Sequence, residues 1–216
     1  MAKPTDDRDA GEGRAQPQQT RSQETWNAIL EAAAALFDAQ GYEQTTTHQI
    51  AAQAGVSVGA LYRYFDGKQT VLQELYRRES SALRERAMAE FSIADLVSGD
   101  LPGLLRKTLA VVVRVYRERP GLQRVFSEQS RKIPELVELR RSLDADIHET
   151  VRQILSVAPG VRLPDVEVGA YLISLFLESL MDDYMLYRRE HTDFSEERIV
   201  AAASDFIMRY LLGHIE

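Results

Sequence analysis

GYEQTTTHQIAAQAGVSVGALYRYFDGK, residues 41–68, is the stretch that decides the fold. Thr46 followed three residues on by Gln49 is a capping-box pattern, in which the hydroxyl accepts from the third helical amide and the Gln side chain reaches back to the cap amide. It starts a helix over about residues 47–54. Ile50, Ala51 and Ala54 give that helix a narrow face of mostly small residues, on which a second helix can pack closely. Gly55 supplies the turn, where a side chain would resist a positive φ. Ser57 caps a second helix over residues 58–65. Two short helices joined by a glycine-containing turn form a helix-turn-helix. On the second helix, with about 3.6 residues per turn, Leu61 and Phe65 share the inward face. Gly59 and Arg63 lie opposite, flanked by Tyr62 and Tyr64. Such a helix is about 12 Å long, and a DNA major groove is about 12 Å wide. Gly59 lets the backbone come close to a phosphate or base edge, the tyrosines can donate to phosphates, and Arg63 can take a guanine edge or a phosphate. Lys68 stands at the start of the next helix, where amides and an ammonium together hold a phosphate. Tyr64 reads equally well as a partly buried core residue, and His48 as a solvated one.

Outward from this stretch the chain is helical in both directions. Residues 1–20 carry Pro4, Gly11, Gly13 and Pro17 without apolar periodicity and read as a disordered arm. Trp26, Ile29, Leu30, Ala33, Leu36 and Phe37 make one apolar stripe, and Gly41 ends that helix. A longer helix, residues 68–91, carries Leu72, Leu75, Leu83 and Phe91 and breaks at Ser98, Gly99 and Asp100. Helices then follow over about 101–118 and 122–130, and from Pro134 through Leu136, Leu139, Leu143, Ile147, Val151 and Ile154 to a stop at Pro159 and Gly160. Two more cover about 165–190 and 195–213. No sustained period-two alternation bounded by turns is present, so the fold class is all-α with about nine helices. The organisation expected is an arm over 1–20, a helix-turn-helix DNA-binding domain over 21–84, and a ligand-binding and dimerisation domain over 85–216.

The helix-turn-helix stretch resembles the TetR family of bacterial transcriptional regulators. The resemblance rests on Gly41-Tyr42, Thr45-Thr46, Ile50-Ala51, Ala54-Gly55-Val56-Ser57 and Leu61 to Phe65 with Lys68. It covers roughly residues 26–75. It implies phosphate contacts from Thr46, Tyr62 and Lys68, and groove contacts from Ser57, Val58, Gly59 and Arg63. With Thr47 and Tyr64 these make up the expected DNA-facing set. Val58 stands where relatives often carry a polar or basic residue, and here it can touch a thymine methyl. Between Trp26 and Lys68 the cations Arg63 and Lys68 face Glu31, Asp38, Glu43 and Asp66, so electrostatic attraction is weaker than in a typical member. Arg14 and Arg21 in the arm can compensate.

The charge balance agrees with a small, local DNA contact. The net charge of −7 argues against a non-specific nucleic-acid coat. The absence of cysteine excludes disulfides and thiolate metal sites and fits a reducing compartment. No stretch has the length and apolarity of a membrane span or a signal peptide, and the expected location is the cytoplasm. No glycine phosphate loop, HExxH or GxSxG motif is present. His48, His148, His191 and His214 are scattered without ligand spacing, so neither catalysis, metal nor cofactor is expected.

From Val166 to Leu186 apolar residues occupy almost every side of the helix, which must therefore be covered all round. With the last helix it reads as a four-helix dimer interface carrying Tyr171, Leu177, Met181, Ala203, Phe206 and Tyr210, or else as a deeply buried monomer helix. The resemblance places an effector between the middle helices, with Tyr116, Phe126, His148, Phe176 and Tyr184 as candidate linings. Glu178, Asp182 and Asp183 can balance a cationic ligand, or pair with Arg188 or Arg189. The function expected is a ligand-responsive repressor that binds palindromic operator DNA as a homodimer and is released by a small-molecule effector. The alternatives are a DNA-binding activator or nucleoid-associated protein without a ligand, and a helical interaction module that leaves DNA alone.

Overall fold

A computed structural model describes residues 15–90, 94, 99–183 and 194–213. Arg14 and the rest of residues 1–14, with Phe91, Ser98, Tyr184, Arg188, Arg189, His191 and His214, lie outside the described residues. Nine helices are present among the described residues: α1 (Ala15–Gln44), α2 (Thr47–Gln53), α3 (Val58–Tyr62), α4 (Lys68–Ala89), α5 (Leu101–Glu118), α6 (Pro120–Gln129), α7 (Pro134–Val157), α8 (Val166–Met181) and α9 (Glu196–Leu212). No strand occurs among them.

Three boundaries differ from the sequence reading, one being the start of α6 at Pro120 instead of residue 122. Helix α1 begins at Ala15, so residues 15–20, expected in the arm, are helical. Its helical geometry breaks at Gly41 (φ 78°, ψ 178°), where the apolar stripe was expected to end, and one further turn follows. Helix α3 closes at Tyr62, with Arg63 as its C-cap, and the chain reaches Phe65 through a tight turn.

Five helix starts, those of α2, α3, α5, α8 and α9, are capped by a side chain. Thr46 and Gln49 complete the capping box of α2. Ser57 Oγ accepts from Ala60 N at 3.1 Å. Asp100, Asp165 and Ser195 cap α5, α8 and α9. A cap of this kind is worth about 1 kcal/mol, which matters most for α2 and α3, too short to hold together on propensity alone.

The core has two parts. The larger gathers Ile29, Leu30 and Phe37 of α1, Ile50 of α2, Leu61 of α3 and Val71, Leu72 and Leu75 of α4, together with Leu122, Val125 and Phe126 of α6 and Leu136 of α7. The N-terminal helices thus share one continuous core with the middle of the chain. The smaller part joins Leu101, Leu155, Ala170, Ile173, Ile207, Met208 and Leu211 of α5, α7, α8 and α9.

The joint between the halves is tight. Helix α6 packs along α1. Asp38 Oδ1 accepts from Leu122 N at 3.0 Å, satisfying an amide in the first turn of α6. A Cβ on Gly121 would lie 2.0 Å from the Asp38 carbonyl oxygen, so only glycine permits this approach. Glu31 of α1 receives Arg78 of α4 and Arg119 at the start of α6, each at 2.8 Å.

Candidate DNA interface and effector cavity

Helices α2 and α3 form the helix-turn-helix. Gly55 turns the chain between them at φ 68°. Ile50, Ala51 and Leu61 are fully buried, which anchors both helices from below. The opposite face is open. Tyr62 is 49% exposed, Arg63 and Gly59 are exposed, and nothing lies within 4 Å of where a Gly59 Cβ would stand. Tyr62 Oη and Thr47 Oγ1 are 3.3 Å apart, a link between the two helices across that outer face.

The expected DNA-facing residues do not all point the same way. Tyr64 turns back onto α1: its hydroxyl meets Ser22 Oγ at 3.2 Å and its ring stands edge-on to Trp26. Its ring is half-buried against the N-terminal core. Val58 is half-buried against the core. The Thr46 hydroxyl is held by Gln49 in the capping box. Lys68 Nζ donates to the Tyr42 carbonyl at 2.6 Å and lies 4.0 Å from the centre of that ring. Burial holds its ammonium below the usual lysine value, against the opposing pull of Glu43. It can still donate two further protons, but from a fixed position. Ser57, Gly59, Tyr62, Arg63 and His48 are exposed, and half-buried Thr47 meets Tyr62.

In the C-terminal half, a cavity of about 420 Å³ opens between α4, α5, α6, α7, α8 and α9. Tyr116 and Phe126 line it. His148 and Phe176 do not. His148 pairs instead with Tyr171 at 6.3 Å, and Phe176 with Phe206 at 4.8 Å. Both side chains are half-buried, Phe176 against the smaller core, a placement that periodicity alone leaves open. Tyr76, Gln123, Ser127, Arg140 and Asp144, which the sequence reading passed over, also line the cavity. A signal for two of them was present: Arg140 and Asp144 fall one and two turns after Leu136 on an otherwise apolar stripe. Burial pushes the Tyr76 phenol up to about 12, with Arg140 opposing and Asp144 and Asp182 assisting. Burial, then Asp182, raises the Tyr116 phenol further. Asp182 bonds Arg131 at 2.5 Å, and Glu178 pairs with Arg140.

Residues 29–75 match the bacterial regulatory proteins, tetR family, and residues 100–211 match the tetracyclin repressor-like C-terminal domain. The chain belongs to the TetR family. It is 35% identical over 116 residues to the HTH-type transcriptional regulator SrpR of Pseudomonas putida, a match spanning 54% of this chain and 46% of that protein, under half its length. To the regulator AcrR of Shigella flexneri it is 25% identical over 186 residues, spanning 82% of this chain and 85% of that one. A solved TetR-family structure from Syntrophomonas wolfei superposes with a TM-score of 0.70 at 17% identity, over 89% of this chain and 97% of that one.

In this TetR-family chain the expected interface residues divide. Tyr171 and Phe206 are 56% and 59% exposed, and with Val168, Leu172 and Leu175 they leave an apolar face on α8 and α9. Met181 and Ala203 are buried within the chain. Leu177 lines the cavity and Tyr210 packs against the inner core, so neither belongs chiefly to the outer face. The all-round apolarity of α8 had a double cause, one side facing the core and the other facing outward. Among the described residues no helix is long and apolar enough to cross a membrane, and no metal-binding cluster occurs.

Proposed function

We propose that this protein is a homodimeric, ligand-responsive repressor that binds palindromic operator DNA in the cytoplasm and is released by a small molecule. One observation carries the reading. Tyr62, Arg63 and Gly59 stand open on a helix whose other side is locked into the core by Leu61. A helix exposed in this way, short enough to enter a major groove, is a reading head. The likeness to SrpR and AcrR supports the regulatory role.

Two chains would pair through the apolar face of α8 and α9 by a twofold axis, which sets two α3 helices against half-sites one DNA turn or a multiple apart. Release would run through α6. Leu122 and Val125 sit in the core shared with the DNA-binding helices, while Gln123 and Ser127 line the cavity. Phe126 does both. A ligand that pushes on α6 therefore shifts α1 through Asp38 and Gly121, and changes the spacing of the two α3 helices. Coupling of about 1–3 kcal/mol is typical of such linkage. The cavity itself favours an effector over a ligand-free architectural role. The test is selection of binding sites by the purified protein from random duplex DNA, followed by footprinting on the winner. An enriched inverted repeat protected on one face is expected; a pool without enrichment at low salt overturns the reading.

A further inference from the structure

The cavity has two unlike regions. Leu101, Leu104, Leu105, Ile154, Leu155 and Met208 make an apolar wall from α5, α7 and α9. Elsewhere Tyr76, Tyr116, Arg140, Asp144, Glu178 and Asp182 cluster together. This polar group is not charge-balanced from within. Arg140, only 17% exposed at its side chain, serves both Glu178 and Asp144, the latter at 3.5 Å, and donates to Ser130 Oγ at 3.1 Å. Its guanidinium has no fork left for an incoming carboxylate or phosphate. Asp182 is held by Arg131 and by Ser127 Oγ at 3.1 Å. Arg84, the other cation on the wall, leans toward Asp146 at 3.9 Å. An anionic head group would have to take Arg140 from Glu178 and leave a carboxylate uncompensated in a partly dry site.

The aromatic surfaces point the same way. Tyr76 stacks on Phe126 at 4.8 Å. Tyr116 lies largely buried on the same wall, with Tyr76 among its electrostatic neighbours. Phenol rings beside surplus carboxylates form the surroundings that attract an organic cation, by ring quadrupole and by charge. We propose that the effector is an amphipathic cation, with an ammonium or amidinium head among Tyr76, Tyr116, Asp144 and Glu178 and an apolar body along α5, α7 and α9. This rests on the reading of the cavity as the effector site.

Titration calorimetry of the full-length protein with decyltrimethylammonium, decanoate and decyl maltoside, each below its micelle concentration, separates the cases. The cation is expected to bind at least about tenfold more tightly than either other probe. Asp144→Asn is expected to weaken the cation about tenfold and leave decyl maltoside unchanged, with melting no lower than wild type. Decanoate binding as well as or better than the cation overturns the charge assignment but keeps the effector cavity. So does Asp144→Asn leaving cation affinity unaltered in a folded protein. No heat from any of the three probes overturns both.

Discussion

Tyr62 places a half-exposed phenol on the open face of the helix-turn-helix, its hydroxyl 3.3 Å from Thr47 Oγ1. Tyr62→Phe should therefore cost one charge-assisted hydrogen bond to phosphate per half-site, about 1.5–3 kcal/mol each, with an unchanged melting temperature. Fluorescence anisotropy on the selected operator reads this directly. Lys68 differs, because its ammonium is committed to the Tyr42 carbonyl. Lys68→Met should lower the melting temperature, and should flatten the salt dependence of binding by about one unit per half-site if the ammonium also reaches a phosphate. A lower melt with an unaltered salt slope makes the lysine purely structural. Asp144 carries a pH prediction. Burial raises its carboxyl above the ordinary 3.8, with Arg140 pulling the other way. A carboxyl whose folded pKa is raised adds stability below its ordinary value and loses that contribution as pH rises through the folded value. Asp144→Asn should accordingly melt at or above wild type at neutral pH, with the difference shrinking below about pH 4, as scanning calorimetry will show.

At the scale of elements, α6 belongs to both halves of the molecule. Its first turn is capped by Asp38 and approached by the Asp38 backbone at Gly121. The Glu31 pairs with Arg78 and Arg119 sit at the surface, where each is worth about 0–1 kcal/mol, so they orient the joint more than they stabilise it. Gly121→Ala would set a methyl against a backbone oxygen. Overpacking of this kind costs about 1–3 kcal/mol, and the only relief is for α6 to move off α1. We expect a lower melting temperature together with weaker operator binding in the absence of any ligand. Wild-type operator affinity in a destabilised Gly121→Ala protein would show that α6 can shift without moving the reading heads, and would remove the proposed route of release.

For the whole molecule, the apolar face of α8 and α9 is where the proposed dimer would form, since a single helix-turn-helix holds only one half-site. Phe206→Glu and Leu175→Glu put a charge on exposed positions that contribute little to the chain's own core. Each should give a folded monomer by light scattering, with normal helical circular dichroism and operator affinity reduced by orders of magnitude. A dimer that survives both substitutions places the interface elsewhere. The same charge at Met181 would be a test of folding instead, since that side chain is buried at 4% exposure.

The local and the distant were not equally legible in this chain. Residues 41–68 were readable in order because every signal there acts over three or four positions: the Thr46–Gln49 box, the Gly55 turn, the Ser57 cap and the Leu61–Phe65 face are all set by backbone geometry close by. The all-helical class and the stops at Gly41 and Pro159 followed for the same reason. What needed the tertiary structure was the side of each helix that meets a partner far away in sequence. Tyr64 bends back to Trp26, Lys68 reaches Tyr42 and Gly121 admits the Asp38 carbonyl. Met181 turns inward while Phe206 turns outward, on helices apolar on both sides. Periodicity shows that a helix has a buried face, but where a second apolar face exists only packing against α5, α6 and α7 decides which one lines the cavity and which is left for another chain.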